Sequence, residues 1–193
     1  MGERSAQTAL PDKSGQAPSA APDREMGCSH ELGSPEGWEQ GLARESNFGE
    51  LVQIRPASAE DAPRIATLAG QLGYPSTPQE VLRRLEQIQA QAQHAVFVAA
   101  RAEGQAVGWV HAFVSYLVES EPHAEIGGLV VDEGHRGERI GRLLLQHAED
   151  WAREQGCASV YLRSNILRQG ARAFYERGNY SLIKTQHAFR KVL

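Results

Sequence analysis

The chain has 193 residues, a formal net charge of −4 at pH 7, 41% hydrophobic residues and two cysteines. Eight acids and four bases fall in residues 1–49 and sixteen of each in the remainder, so the larger part is neutral and lacks the electrostatic footprint of a nucleic-acid binder. Two widely separated cysteines exclude a disulfide framework and a zinc spacing, no stretch reaches the roughly 18 apolar residues of a membrane span, and the first residues lack the apolar core of a secretory signal, so the expected compartment is the cytoplasm, with no membrane partner.

Residues 1–48 are rich in Ser, Gly, Ala, Pro and Glu and show no sustained apolar period. Such a segment cannot bury enough surface to offset its ordering entropy, and a disordered N-terminal extension is expected ahead of one domain over 49–193. Leu32, Trp38, Leu42 and Phe48 are the exceptions, and would dock a short helical turn over 35–45 onto the domain. Cys28 lies in this extension; Cys157 is expected as a small buried hydrophobe.

Val52, Ile54 and Pro56 open the domain as a short alternating strand. Ser58 and Asp61 form the start signal of a helix whose apolar face is Ile65, Leu68, Ala69 and Leu72, and Gly73 stops it. Thr77, Pro78 and Glu80 start a second helix with its stripe at Val81, Leu82, Leu85 and Ile88. Residues 94–100 alternate as a strand, 101–105 make a hairpin turn around Gly104, and 107–118 form a long strand. ESEPH at 119–123 predicts a turn, because Pro122 cannot donate to a ladder. Glu125–Val131 is the central strand, and Gly127–Gly128 within it predicts a bulge or a close backbone approach, the alternative being a twist device with no ligand. Without a bulge, Glu125, Gly127, Leu129 and Val131 would share one face. After a polar turn over 132–137 a long helix buries Ile140, Leu144, Ala148 and Ala152, and Gly156 ends it. A strand over 158–162, a short helix over 168–177 and two final strands over 180–184 and 187–192 complete the chain. The order β-α-α-β-β-β-α-β-α-β-β predicts an α/β (α+β) mixed sheet with helices on both faces. The last strand either ends the sheet or pairs across a homodimer.

A strand feeding a Gly- and Arg-bearing turn at a helix start is suited to hold an anion, because the first turn leaves N–H groups unpaired and the dipole is positive there. Arg136, Arg139 and Arg142 add charge at the same end. The segment RGERIG at 136–141 resembles the acyl-CoA pyrophosphate loop of the GNAT N-acetyltransferase superfamily, (Arg or Gln)-x-x-Gly-x-(Gly or Ala). Arg136 and Gly141 match; Arg139 stands where the first Gly is expected, with Gly137 nearby. The preceding LVVDEGH and the downstream FYER at 174–177 strengthen the resemblance, which covers 52–193.

This resemblance implies a mostly antiparallel sheet with one parallel crossover, and acetyl transfer from acetyl-CoA, the co-substrate, to a primary amine by direct attack in a ternary complex. It implies cofactor contacts from Leu129, Val130, Val131, Arg136, Gly137, Glu138, Arg139, Ile140, Gly141 and Arg142, and no metal. SNxxR followed by Ala171 resembles a cofactor-side element of one bacterial branch, which adds Asn165 and Arg168; a loop-and-cap role is their alternative. Arg139 is expected to be helical with its side chain on phosphate, the other reading being a left-handed backbone that costs about 1 kcal/mol or more. Glu125 stands where the histone-modifying branch has its base; an edge carboxylate or acceptor-binding anion is the alternative, and His111 and His123 are rival bases. Tyr175 matches the tyrosine that protonates the departing sulfur, against a plain packing role. Gly178–Asn179 replaces the usual Leu-Gly after FYER, and Asn tolerates the left-handed backbone that ends a helix. Tyr74, between the first two helices, would line the acceptor site or pack at its rim. The acceptor is a small-molecule or peptide amine, with Glu119, Glu121 and Glu125 favouring a cation. The alternative function is a non-catalytic acyl-CoA-binding sensor or regulatory domain of this fold.

Overall fold

The computed structural model describes residues 52–193, apart from Glu103 and the side chain of Gln169. The domain boundary near residue 49, the turn over 35–45 and Cys28 lie outside these residues. The elements are β1 (Val52–Pro56), α1 (Ala62–Gln71), α2 (Pro78–Gln89), β2 (His94–Arg101), β3 (Ala106–Leu117), β4 (Ser120–Val131), α3 (Ile140–Glu154), β5 (Val160–Leu162) and α4 (Gln169–Glu176). The strands form one sheet in sequence order; β1 to β4 pair antiparallel and β5 joins β4 in parallel through the α3 crossover.

Helix starts follow local chemistry. Asp61 accepts from the Ser58 amide at 2.8 Å and from its hydroxyl at 3.0 Å, and Arg55 holds the same carboxylate. Thr77 and Glu80 exchange the two bonds of a capping box at 3.3 and 2.8 Å. Strand alternation then separates two cores. Phe97 and Ala99 of β2, Val110 and Ala112 of β3 and Ile126 of β4 pack on Ile140, Leu144, Leu145 and Ala148 of α3. Val96, Val98 and Ala106 pack on Ile65 and Ala66 of α1 and on Val81 and Leu85 of α2. Helices therefore cover both faces of a mixed sheet, as expected.

Two expectations are corrected. The segment over 119–123 is not all turn. The β3–β4 hairpin turns at Val118–Glu119, β4 begins at Ser120, and the register shifts between Ser115↔His123 and Leu117↔Ser120. Pro122 falls in that irregularity, where no ladder donor is required of it. The strands expected over 180–184 and 187–192 do not form: residues 181–193 carry no regular structure and are exposed. Their apolar, strand-like pattern pairs with no strand edge among the described residues, and composition alone does not form a strand without such pairing.

Candidate active site

The site begins where β4 and β5 part. Their pairing covers only Ala124↔Val160, Glu125↔Tyr161 and Ile126↔Leu162. Against β3, Ala112 faces Ile126 but His111 faces Gly128, so Gly127 is the extra residue of a bulge. From Gly127 to Val131 the edge of β4 turned away from β3 has no partner strand among the described residues. The paired glycines serve a close approach. A Cβ on Gly128 would lie 2.8 Å from Trp109 ring carbons, and one on Gly127 would lie 3.0 Å from His111 Nδ1. The bulge also shifts the alternation. Leu129 and Val131 pack with Ile126 on the α3 core, so they do not share a face with Glu125.

The turn after β4 is tied at its flanks. Asp132 is held by Arg64, a residue of α1, and accepts from the Gly134 amide at 3.0 Å. Arg101 reaches Glu138 at 2.5 Å, and His135 lies 3.2 Å from that carboxylate. Between these ties the N–H groups of Gly137, Glu138, Arg139, Ile140 and Gly141 have no acceptor among the described residues. A run of amides at a helix start is an anion-binding concavity. Gly141 sits in a tight space, since a Cβ there would lie 3.3 Å from Phe174 of α4 and 3.5 Å from Val131. Arg139 is not helical: it is the N-cap of α3 with φ 62°, ψ 2°. This corrects the expectation, and the physical reason is that the turn needs a left-handed residue before α3 while Gly137 (φ 90°) meets a different left-handed step. The Arg139 side chain is exposed and makes no ion pair among the described residues. Arg136 pairs loosely with Glu133 at 3.6 Å, and the tip of Arg142 lies over Gly178.

The face of the sheet under α1 and α2 carries a polar, aromatic floor around the bulge. Glu125 is 16% exposed at its side chain and is gripped by Arg163 at 2.5 Å; its second oxygen lies 4.0 Å from His123 Nε2. The His123 ring packs on Tyr161 at 4.7 Å. His111 and His94 share a hydrogen bond of 3.1 Å and stack with Phe113. Burial first, and the His94 charge second, push the His111 imidazole down to about 4, so it is neutral near pH 7. His111 is neutral in both folded and unfolded chains above about pH 6.5. As pH falls towards 4 the unfolded chain takes up the proton and the fold does not, so stability drops and the loss is complete below about pH 4. About 2 kcal/mol should be gone by pH 5. Urea unfolding at pH 7.5 and pH 5 should show that difference shrinking in His111→Asn; an unchanged acid loss would place its origin elsewhere.

Across the seam stands α4. Tyr175 packs with Leu129 and Val131 against the α3 core, with Phe174 at 5.1 Å and Tyr180 at 5.8 Å. Burial raises the Tyr175 hydroxyl pKa, and the Arg168 guanidinium partly opposes it. The helix end after Tyr175 is closed by Asn179 at φ 65°, the left-handed cap expected of this Asn. Asn165 accepts from the Leu167 amide at 2.9 Å, and Arg168 bonds the Leu72 carbonyl at the end of α1. Tyr74 is exposed at the rim. Sequence reasoning missed Arg163, Tyr161, Arg64 and Arg101. Their partners are distant in the chain, and no local spacing announces them.

The bulged strand, the tied turn and the amide-lined helix start therefore sit in the order expected from the resemblance. The model of the acetyltransferase (GNAT) family matches residues 62–179. Aminoglycoside N(6')-acetyltransferase type 1 of Stenotrophomonas maltophilia is 33% identical over 118 residues, covering 58% of this chain and 75% of the relative. Streptothricin acetyltransferase of Streptomyces lavendulae is 36% identical over 85 residues, covering 44% of this chain and only 43% of the relative's length. In fold, aminoglycoside antibiotic 6'-N-acetyltransferase AAC(6')-Ih from Acinetobacter baumannii superposes with a TM-score of 0.64 at 21% identity, over 74% of this chain and 99% of that one. With its matched span reaching from α1 past α4, the chain belongs to the acetyltransferase (GNAT) family.

Proposed function

We propose that the protein is an N-acetyltransferase that moves the acetyl group of acetyl-CoA directly onto a primary amine held under α1 and α2. The observation that carries this reading is the run of unpartnered amides over 137–141 continuing the open β4 edge of Leu129, Val130 and Val131. Amides at a helix start suit a pyrophosphate, and an unpaired strand edge suits an amide-bearing arm that adds like a strand. Arg136, Arg139, Arg142, Asn165 and Arg168 supply side chains around that track. The bulge lets a thioester lie between Glu125 on one face and Tyr175 on the other, with a β4 amide polarising its oxygen.

The amine nitrogen forms its bond to the acetyl carbon as the carbon–sulfur bond breaks. Glu125 takes the nitrogen's proton, directly or through water, using the oxygen not engaged by Arg163. Tyr175 gives a proton to the departing sulfur, and solvent resets both groups. For the acceptor, we favour a small polyamine of the kind named by the relatives, streptothricin or an aminoglycoside bearing a reactive 6'-nitrogen. The half-buried Glu125 carboxylate supports a cationic amine. The test is thiol release from acetyl-CoA against a panel of amines including these two, with calorimetry of CoA on the same sample. Amine-dependent release is expected; tight CoA binding with no turnover on any amine would favour a regulatory acyl-CoA-binding domain instead.

Arg139→Gly separates two contributions. It removes about 1 kcal/mol of left-handed strain, offset by about 0.5–1 kcal/mol of added freedom in the unfolded chain, so stability should hardly move. Acetyl-CoA affinity should fall several-fold if the guanidinium meets phosphate. Equal or tighter binding by calorimetry would remove Arg139 from the cofactor set.

A further inference from the structure

On the amine side of the bulge, His111 has one ring nitrogen engaged and one free. Its Nε2 lies 3.1 Å from His94 Nδ1, and the two rings are nearly parallel at 22° with centroids 5.4 Å apart, the disposition of rings bonded edge to edge. Its Nδ1 has no hydrogen-bond partner among the described residues. Nor is that nitrogen sealed: the sealed, unpartnered side-chain atoms among the described residues are Arg101 Nε and Trp109 Nε1. His111 Nδ1 looks out over the bulge instead. A Cβ on Gly127 would lie 3.0 Å from it and 3.3 Å from Phe113, and Gly127 itself is exposed. The missing side chain leaves an open gap between this nitrogen and β4, and an unpartnered ring nitrogen facing such a gap is placed to meet a ligand atom.

Where the proton sits follows from His94. Only one of the two facing nitrogens carries hydrogen. When His94 Nδ1 donates, His111 Nε2 accepts, and the single proton of the neutral ring sits on Nδ1, aimed at the gap. A charged His94 has a donor on both nitrogens and enforces the same choice. The Glu125 carboxylate stands on this face too, paired in register with Phe113, and its negative charge favours an N–H in the gap over a lone pair. His111 stays neutral near pH 7 because burial opposes its charged form, and the His94 charge adds to that. The ring is therefore a poor base and a lasting donor.

We propose that His111 is a catalytic residue which donates its Nδ1–H to the acyl oxygen of the bound thioester, and that His94 is a positioning residue which fixes the tautomer. This rests on the acetyltransferase reading, and it adds a side-chain donor to the β4 amide proposed for the same oxygen. No proton is transferred at this atom. As the nitrogen–carbon bond forms, the carbonyl electron pair shifts towards oxygen, and it returns as the carbon–sulfur bond breaks. A donor held in place beforehand stabilises that passing charge without reorganising. A neutral ring suits the role, because a charged one on this face would depress the basicity of Glu125. The two residues divide the work: Glu125 acts on the nitrogen and His111 on the oxygen.

The test uses the full chain and acetyl-CoA isotopically labelled at its acyl carbon. Binding should lower the infrared stretching frequency of the acyl carbonyl, because a donor on the oxygen weakens that bond. His111→Phe keeps a ring without nitrogens, and most of the lowering should disappear. His111→Asn returns an N–H near the Nδ1 position and should restore much of it. His94→Phe should reduce it, because His111 then no longer has its tautomer fixed. Nitrogen NMR of the free wild-type chain near pH 7 should find His111 protonated on Nδ1 and bare on Nε2. With any amine that is turned over, His111→Phe should lower kcat about 100-fold and His111→Asn about 10-fold or less, with acetyl-CoA affinity held. A His111 proton on Nε2 overturns the proposal. So does a carbonyl frequency that is the same in wild type and His111→Phe while both bind acetyl-CoA. Should His111→Phe fail to fold, the tautomer and the His94→Phe comparison decide the matter. Failure of every chain to bind acetyl-CoA removes the acetyltransferase reading together with this one, whereas bound acetyl-CoA with a frequency indifferent to His111 removes this one alone.

Discussion

Glu125→Gln is expected to lower kcat by about 100-fold at pH 7 while leaving acetyl-CoA affinity unchanged. A primary amine has a pKa near 10, so stripping its proton at pH 7 costs about 4 kcal/mol unless a nearby base shares the work. Glu125 is suited to that task by position. It lies on the strand that carries the bulge, on the side facing α1 and α2, largely enclosed, with one oxygen fixed by Arg163 at 2.5 Å. The amide of Gln can still accept from Arg163, so the geometry survives and only the basicity is lost. The defect should shrink as pH rises towards the amine pKa, because free amine then forms without help. A purely structural carboxylate would give a loss that is flat with pH. Wild-type kcat in the variant would remove Glu125 as the base and return attention to His123, since burial pushes the His111 imidazole down to about 4 and leaves it a weak proton acceptor.

Much of this architecture was legible because its signals are local. Capping boxes at Ser58 and Thr77, the stops at Gly73 and Gly156, and the stripe Ile140–Leu144–Ala148–Ala152 each follow from residues within a turn or two of one another. The Gly127–Gly128 bulge was legible for the same reason, although its cause was not: the rings of Trp109 and His111 that occupy the glycines' space come from another strand. Arg139 was misjudged because backbone handedness depends on how the whole turn must close, and the tie points at Asp132 and Glu138 are made by Arg64 and Arg101 from far along the chain. The final strands failed for a related reason. Tyr180–Lys184 and His187–Val192 have strand composition, but composition expresses a need for a neighbouring edge and does not supply one.

Tyr175→Phe should also cost about 100-fold in kcat, and it isolates the other proton. The phenyl ring retains the contacts with Phe174 and Tyr180 and its packing on the α3 core, so thermal stability should change little. What is lost is a hydroxyl whose pKa burial raises, which keeps it protonated near neutral pH and able to donate. A departing alkyl thiolate, with a conjugate pKa near that of a cysteine at about 8.5, benefits from receiving that proton. An aryl thiolate is far less basic and leaves without one. Acetyl donors with aryl thiol leaving groups should therefore recover most of the lost rate in Tyr175→Phe, and should gain little in the wild type beyond their intrinsic reactivity. An equal loss with both donors would mean that Tyr175 packs the seam and does not protonate the sulfur. Because Arg168 bonds the Leu72 carbonyl while its charge pulls the Tyr175 pKa down, Arg168→Met should shift the alkaline limb of kcat upward. That shift should vanish in the double variant with Tyr175→Phe, where there is no hydroxyl left to titrate.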